Sequence, residues 1–331
     1  MGRRWGAYGA HRNPAQHGVR VQVTQHPSPA AIVVFGSINL DLMFAMQALP
    51  AAGQTRLADG FSMQPGGKGA NQAVAARRDG VAVHMVGAVG QDALAPLALA
   101  VMVQAGVDLA AVRHIPDAAT GCAGIATDAQ GRNQIAVALG ANARLTADDL
   151  PADLLNPRNL LLVQMEAQPD QVAAAMRRAR DAGMAVVLNL APARPLPQPV
   201  LRTAKLIVVN EDEAEMLAGQ CGCAASAAAL HDALGATIIR TLGGAGAEAA
   251  GADGPVHVAA PRIAVVDTTA AGDCFVGTLA ASMLRGLTLP AAMDRACAAA
   301  SLACTVAGSQ RSLPLAAETD ALEKQSKRVL L

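Results

Sequence analysis

Aromatic side chains are almost missing from this 331-residue chain, which has one Trp, one Tyr and four Phe. Trp5, Tyr8, Phe35, Phe44, Phe61 and Phe275 are too scattered to build a platform for stacking bases. Charge is also scarce at 16%, and it balances, with 26 Lys plus Arg against 26 Asp plus Glu. No field of one sign exists to hold a polyanion or an anionic membrane, so nucleic acid and membrane surfaces are excluded as partners. Long apolar runs are missing as well. The longest low-polarity stretch covers 296–308. It is too short for a membrane-spanning helix, which needs roughly 20 residues. The six cysteines, Cys122, Cys221, Cys223, Cys274, Cys297 and Cys304, form no CxxC pair and have no histidine at ligand spacing, so they do not suggest a zinc site. Inert thiols in a reducing, cytoplasmic setting are expected. Residues 1–29 carry Arg3, Arg4, Arg12 and Arg20 without an acidic residue, but no apolar stretch follows. A disordered extension is expected there in place of a secretory signal, ahead of one α/β domain over 30–331.

Hydrophobic residues make up 52% of the chain. That is enough for a large core. From Ala31 onward, strand-like runs at 32–35, 81–86, 160–163, 185–190, 206–209, 237–241 and 263–266 are separated by helical patterns. Those helices are expected at 70–78, 93–104, 171–182, 211–217, 224–234 and 271–285. This alternation predicts an α/β fold with a mainly parallel central sheet covered by helices. Residues 42–64 and 112–138 lack helical periodicity and hold short alternating runs, so they are read as a small β-sheet lid.

Four segments carry chemistry, and a glycine loop adds to them. In Asp267-Thr268-Thr269-Ala270-Ala271-Gly272-Asp273 an expected strand turns into a helix whose first turn has almost no side chains. Backbone N–H groups there can approach an anion that the helix dipole favours, with Asp273 beside it to accept a proton. Plain helix capping is the rival reading. Gly36-Ser37-Ile38-Asn39-Leu40-Asp41 follows the first strand and puts Asn39 and Asp41 on one side of an extended chain. An amide with a carboxylate suits a polyol, although both are also common turn formers. Pro65-Gly66-Gly67-Lys68-Gly69-Ala70-Asn71 leads into a helix but is no Walker A loop, since Gly69 stands where Ser or Thr is required. Asn210-Glu211-Asp212-Glu213 opens another helix, where acidic residues serve either the dipole or a hydrated Mg²⁺. The glycine loop Thr241-Leu242-Gly243-Gly244-Ala245-Gly246 also follows a strand and could wrap a nucleotide.

In this order the segments resemble the carbohydrate kinases of the ribokinase (PfkB) family from about Ile32 to Pro314, with further similarity at Gly140-Ala141-Asn142-Ala143 and Asn189-Leu190-Ala191-Pro192-Ala193. The resemblance implies a ribokinase-like three-layer sandwich and ATP-dependent phosphorylation of a primary sugar hydroxyl, D-ribose giving D-ribose 5-phosphate. It makes Asp273 the base and the backbone of Ala271, Gly272 and Asp273 an anion hole. It assigns Asn39, Asp41, Gly67, Lys68, Gly69, Ala70, Asn71 and Glu166 to the sugar. The nucleotide falls to Asn210, Thr241, Leu242, Gly243, Gly244, Ala245, Gly246, Gly272 and Cys297, with Glu213 aiding Mg²⁺ through water. A monovalent cation (K⁺) falls to Asp267, Thr269, Ala303, Val306, Gly308 and Ser312. The resemblance also implies a homodimer paired through the lid.

The chain departs from the family pattern at Ala270, usually glycine, at Gln54, commonly glutamate, and at Gly244-Ala245, which lacks a polar or basic side chain. Those departures leave the lid contacts and nucleotide affinity open, and Ala270 implies a slightly tighter anion hole. Deoxyribose, a fructose-type sugar and a nucleoside are the alternative substrates, and a catalytically silent sugar-binding protein is the alternative class. A dinucleotide-dependent dehydrogenase is disfavoured, because the first strand leads into Gly36-Ser37-Ile38-Asn39 and not GxGxxG.

Overall fold

The computed structural model describes residues 1–2 and 29–329, so the extension expected over 1–29 lies outside the described residues but for its ends. The first strand β1 (Ala31–Phe35) passes into β2 (Asn39–Ala45) and β3 (Gly60–Gly66), then into helix α1 (Lys68–Arg78) and β4 (Ala82–Gly90). Helix α2 (Ala95–Ala105) and the strands β5 (Val112–Ile115), β6 (Gly121–Thr127) and β7 (Asn133–Ala138) follow. An alternating run comes next: β8 (Leu160–Val163), α3 (Pro169–Asp181), β9 (Ala185–Asn189), α4 (Gln198–Leu201), β10 (Leu206–Val209), α5 (Glu211–Cys221), α6 (Ala227–Leu234) and β11 (Thr237–Thr241). The hairpin β12 (Ala247–Gly251) and β13 (Gly254–Val258) leads to three helices, α7 (Ala271–Leu284), α8 (Leu289–Ala303) and α9 (Ala316–Val329).

Nine strands form the main sheet in the order β13-β12-β11-β10-β9-β8-β1-β4-β5. Every pairing from β11 across to β5 is parallel, and β12 alone pairs antiparallel, with β11 on one side and β13 on the other. A sheet covered on both faces needs apolar residues on both sides of each strand. In β1 this is literal: Ile32 and Val34 join the core against α1, α7 and α8, while Val33 and Phe35 join the core against α3 to α6. Helix α3 shows why its segment folds as it does. Val172, Ala173, Ala175, Met176 and Ala179 line one buried stripe, Pro169 starts the helix, and Arg178 and Arg180 complement its C-terminal dipole.

A separate four-stranded sheet has the order β3-β2-β6-β7 and fills most of the two regions expected to form the lid. Residues 112–115 depart from that expectation, because they pair in parallel with β4 as the edge of the main sheet. The segment 263–266 departs as well. Its apolar run reads as a buried strand, yet it takes no place in either sheet, and Val265 and Val266 are 63% and 64% exposed. Instead of a strand, its backbone meets the Cys304 carbonyl after α8, which accepts from Val266 and Asp267 N–H at 2.8 and 3.2 Å. Ile263 and Val265 are apolar because they line a cavity.

Candidate active site

Residues 36–41, Glu166, Asn189, Asn210 and the 241–246 loop leave the carboxyl ends of β1, β8, β9, β10 and β11, the edge where open α/β sheets bind ligands, while 65–71 enter α1 from β3 of the small sheet and 267–273 enter α7 from no strand. Helix α7 begins there without a side-chain cap, and its N-cap Ala270 has φ 60° and ψ 10°. Ala270 is the one non-glycine residue at positive φ among the described residues. A left-handed conformation of this kind costs a side-chain-bearing residue about 1–2 kcal/mol. The Ala271 N–H is already donated to the Thr268 carbonyl at 3.2 Å. The first-turn donors left at this end are therefore those of Gly272 and Asp273. Capping is not what Asp273 does. Its buried carboxylate accepts from Asn71 Nδ2 at Oδ2 and from Gln72 Nε2 at Oδ1, each at 2.9 Å.

Helix α1 delivers those two amides. Gly67, at φ 88°, turns the chain into the helix, and a Cβ on it would fall 2.7 Å from the Asn39 nitrogen. At Gly66 a Cβ would lie 2.2 Å from Asp41 Oδ2, so this glycine gives the Asp41 carboxylate its room. Gly69 and Ala70 meet the β1–β2 turn: Gly69 N–H donates to Ser37 Oγ at 3.3 Å and Ala70 N–H to the Ser37 carbonyl at 2.9 Å. Asn39 is set by the buried Asn142, which donates to Asn39 Oδ1 at 2.8 Å. Glu166 Oε2 accepts from Ser37 Oγ at 2.5 Å and from Lys68 N–H at 3.0 Å. Burial, then the neighbouring carboxylates Glu166 and Asp273, push the Asp41 carboxyl up to about 7. Asp273 raises the Lys68 ammonium above its ordinary value against the opposing effect of burial, with Glu166 and Glu213 adding to the rise.

Two adjoining cavities meet at the start of α7. The polar one is lined by Lys68, Asn189, Asn210, Glu213, Gly272 and Asp273. Asn210 and Glu213 form a complete capping box, each side chain accepting from the other's N–H at 2.8 Å. The capping reading is thus realised, while both residues still face the cavity. Burial raises the Glu213 carboxyl despite the Asn210 N–H and Lys68. The second cavity, about 550 Å³, is mostly apolar and is walled by Thr241, Gly243, Gly244, Gly246, Phe275 and Cys297 among others. Leu242 and Ala245 are not part of its wall. Burial, helped by Asp294, pushes the Cys297 thiol up to about 12.

Behind the turn, Asp267 ties two loops together. Its Oδ1 accepts from Thr269 N–H and Oγ1 at 2.9 and 2.7 Å, and its Oδ2 accepts from Gly308 N–H at 2.9 Å. Burial works to raise its pKa, but these donors hold it below the ordinary carboxylate value. Ser312 Oγ donates to the Ser309 carbonyl at 2.8 Å, and Ser309 Oγ donates to the Pro65 carbonyl at 2.6 Å, joining this loop to β3.

The profile of the pfkB family carbohydrate kinases matches residues 29–316. A ribokinase of Schizosaccharomyces pombe is 34% identical over 306 residues, spanning 87% of this chain and 96% of its own. The chain belongs to the pfkB family of carbohydrate kinases. A deoxyribokinase of Salmonella typhimurium is 35% identical over 291 residues, 86% of this chain and 95% of that protein. Among solved structures, Thermotoga maritima ribokinase superposes with a TM-score of 0.81 at 27% identity, covering 89% of this chain and 99% of that one. Arabidopsis thaliana ribokinase, complexed with ribose and ATP, gives 0.79 at 28% identity with the same coverage. The fold is thus ribokinase-like, and this pfkB kinase is an ATP-dependent sugar kinase.

Sequence reasoning missed Gln72, Gln164 and the inward side of Asn189. The signal was present in α1, where Gln72 stands among Ala70, Ala73, Val74, Ala75 and Ala76, all buried. A fully buried glutamine must find partners.

Proposed function

We propose that this kinase transfers the γ-phosphoryl group of ATP to the primary hydroxyl of D-ribose, giving D-ribose 5-phosphate and ADP. The observation that carries the reading is the buried Asp273 carboxylate in a polar cavity at an uncapped helix start, where Gly272 also borders an apolar cavity of nucleotide size. The sugar sits against Asn39, Asp41, Gly67, Lys68, Asn71 and Glu166, a set of amide, ammonium and carboxylate groups that pairs with several hydroxyls at once. Gly69 and Ala70 serve by letting α1 approach Ser37 closely. Asp273 accepts the hydroxyl proton as that oxygen attacks the γ-phosphorus and the bond to the ADP oxygen breaks. The N–H groups of Gly272 and Asp273, with the helix dipole, face the charge that spreads over the transferring oxygens. Release of the Ala271 N–H from Thr268 would add a third donor.

The nucleotide occupies the apolar cavity along Thr241 to Gly246 and Cys297, with Asn210 at its phosphate end. Among the described residues no group of three His, Cys, Asp or Glu could hold a metal ion. Mg²⁺ keeps much of its water and uses one or two carboxylates with substrate phosphates, and Glu213, facing the polar cavity, is the carboxylate that would serve it. Bound Mg²⁺ neutralises phosphate charge. A carboxylate bridging the 267–269 and 308 loops, with the main chain of Ala303, Val306, Gly308 and Ser312 nearby in sequence, suits K⁺, which carbonyl oxygens coordinate well. The two sheet segments over residues 42–64 and 112–138, less 112–115, serve as the lid, and the exposed Phe61, Ile135 and Val137 on it suit pairing with a second copy.

Deoxyribose is the second reading, favoured by the deoxyribokinase relative at 35% identity. ADP release from MgATP with a panel of pentoses, hexoses and nucleosides, with and without K⁺, separates the two. Ribose is expected to turn over best, and absence of ribose turnover defeats the proposal. Asp273→Asn is expected to lower turnover by at least ~10²-fold while sparing sugar binding.

A further inference from the structure

Asp273 is contacted by two amides, and only one of them belongs to the sugar pocket. Asn71 meets Oδ2, and its own Oδ1 is buried without a partner, so it stands ready to turn toward a ligand. Gln72 meets Oδ1 and is built differently. It is fully buried, and all of its polar side-chain atoms are spent inside the protein. One Nε2 hydrogen goes to Asp273 and the other to Asn189 Oδ1 at 2.9 Å, while its Oε1 accepts from Gln164 Nε2 at 2.6 Å. Asn189 in turn donates to the Val208 carbonyl at 3.3 Å. A main-chain carbonyl can only accept, so the direction of donation is set along the row from Val208 through Asn189 to Gln72. A flipped Gln72 amide would bring oxygen against the oxygens of Asp273 and Asn189.

The helix crossing brings Gln72 within reach. Gly277 lies one turn beyond Asp273 on α7, and a Cβ there would fall 2.5 Å from the Gln72 carbonyl oxygen and 2.7 Å from Ala75 Cβ. Absence of that Cβ lets α1 and α7 close until the glutamine touches the carboxylate.

We propose that Gln72 is a positioning residue for phosphoryl transfer: it tethers Oδ1 of Asp273 by a donor of fixed orientation and so reserves Oδ2 for the sugar proton. The inference rests on Asp273 acting as the base. A carboxylate free to rotate would spend part of its time with neither oxygen aligned, and loss of alignment at a reacting centre costs rate more than binding.

The test is Gln72→Met, which keeps the length and burial of the side chain and removes the amide. With kcat counted per sugar-binding site, this variant is expected to lose about 10- to 100-fold in kcat, while the sugar dissociation constant measured calorimetrically stays at the wild-type value. A merely structural role would reduce the number of binding sites and leave kcat per site unchanged, and that result overturns the proposal. Gln72→Glu keeps the bond from Gln164 but sets oxygen against Asp273, so it should be slower than Gln72→Met. If Gln72→Met yields no folded protein, Gln164→Met combined with Asn189→Leu decides, since together they remove both partners that orient the Gln72 amide: a fall in kcat per site supports the proposal, and wild-type kcat overturns it. Asp273→Asn, made in parallel, separates the two readings. Wild-type turnover in Asp273→Asn removes the base itself, whereas an inactive Asp273→Asn beside a fully active Gln72→Met removes only the tether.

Discussion

Removing the Asp79 carboxylate should be the most damaging single charge change far from the chemistry. Asp79 closes α1 and is 3% exposed. It pairs with Arg285, the residue that ends α7, and with Arg295 of α8, whose Nη2 and Nε lie 2.7 and 2.9 Å from Oδ1. Arg295 is 7% exposed and reaches on to Asp320 at 2.6 Å and Glu323 at 2.8 Å in α9. Asp79→Asn keeps the shape and leaves two guanidinium groups facing an uncharged amide. Breaking a buried pair by removing one partner costs about 3–5 kcal/mol. Arg285 is partly exposed and Arg295 keeps two carboxylates, so the lower figure, about 3 kcal/mol, applies. In a chain of this size each kcal/mol moves the midpoint by about 2 °C, which puts the loss near ~6 °C. Asp320→Asn touches the same arginine from a half-exposed position and should cost about 0–1 kcal/mol, or under about 2 °C. Thermal unfolding at low and at high salt measures both, and added salt should weaken only the exposed pair. Asp79→Asn combined with Arg295→Met should recover part of the loss, because the uncompensated charge is then gone. Equal losses for Asp79→Asn and Asp320→Asn, or no recovery in the double variant, would refute the reasoning.

Two further outcomes follow from the site itself. Ala270→Gly relieves the one non-glycine positive φ among the described residues. It should raise stability by about 1 kcal/mol, seen as a higher urea midpoint at unchanged slope, and a lower midpoint would show that the turn is not strained. Asp41 carries a folded-state pKa of about 7 against an ordinary 3.8, so its carboxyl binds more protons folded than unfolded. Its contribution to stability is therefore present below the unfolded value and is lost as pH rises through about 7. Sugar hydroxyls donating to Asp41 favour its ionised form, so the KM for sugar should rise as pH falls below about 7, with proton release on binding, and Asp41→Asn should abolish both. A flat profile in the wild type would remove Asp41 from the sugar site.

Much of the site was legible because its pieces are local. Asn39 and Asp41 lie two apart on β2, Gly66 and Gly67 precede α1, and Asn210 and Glu213 face each other across one helical turn, all spacings that strand and helix geometry dictate. The segment 263–266 was misread for a related reason. Apolar side chains at strand spacing do not say whether they will meet a core or a cavity, and that choice depends on what distant segment the backbone bonds to, here the Cys304 carbonyl. Residues 112–115 likewise show strand character without showing which sheet they join.

The sequence by itself determined the alternating α/β order, the glycine-rich helix entries and the residue types able to do chemistry, though not whether a strand precedes the turn at 267–273, since the former depend on propensities and spacings within a few residues. Only the tertiary structure decided which of them touch. Gln72 and Asp273 are 201 residues apart, and they meet because the parallel strand order sets α1 beside α7 and Gly277 lets the two helices close. Whether a buried amide donates to a carboxylate or merely fills space is set by packing across that distance, and no local pattern encodes it.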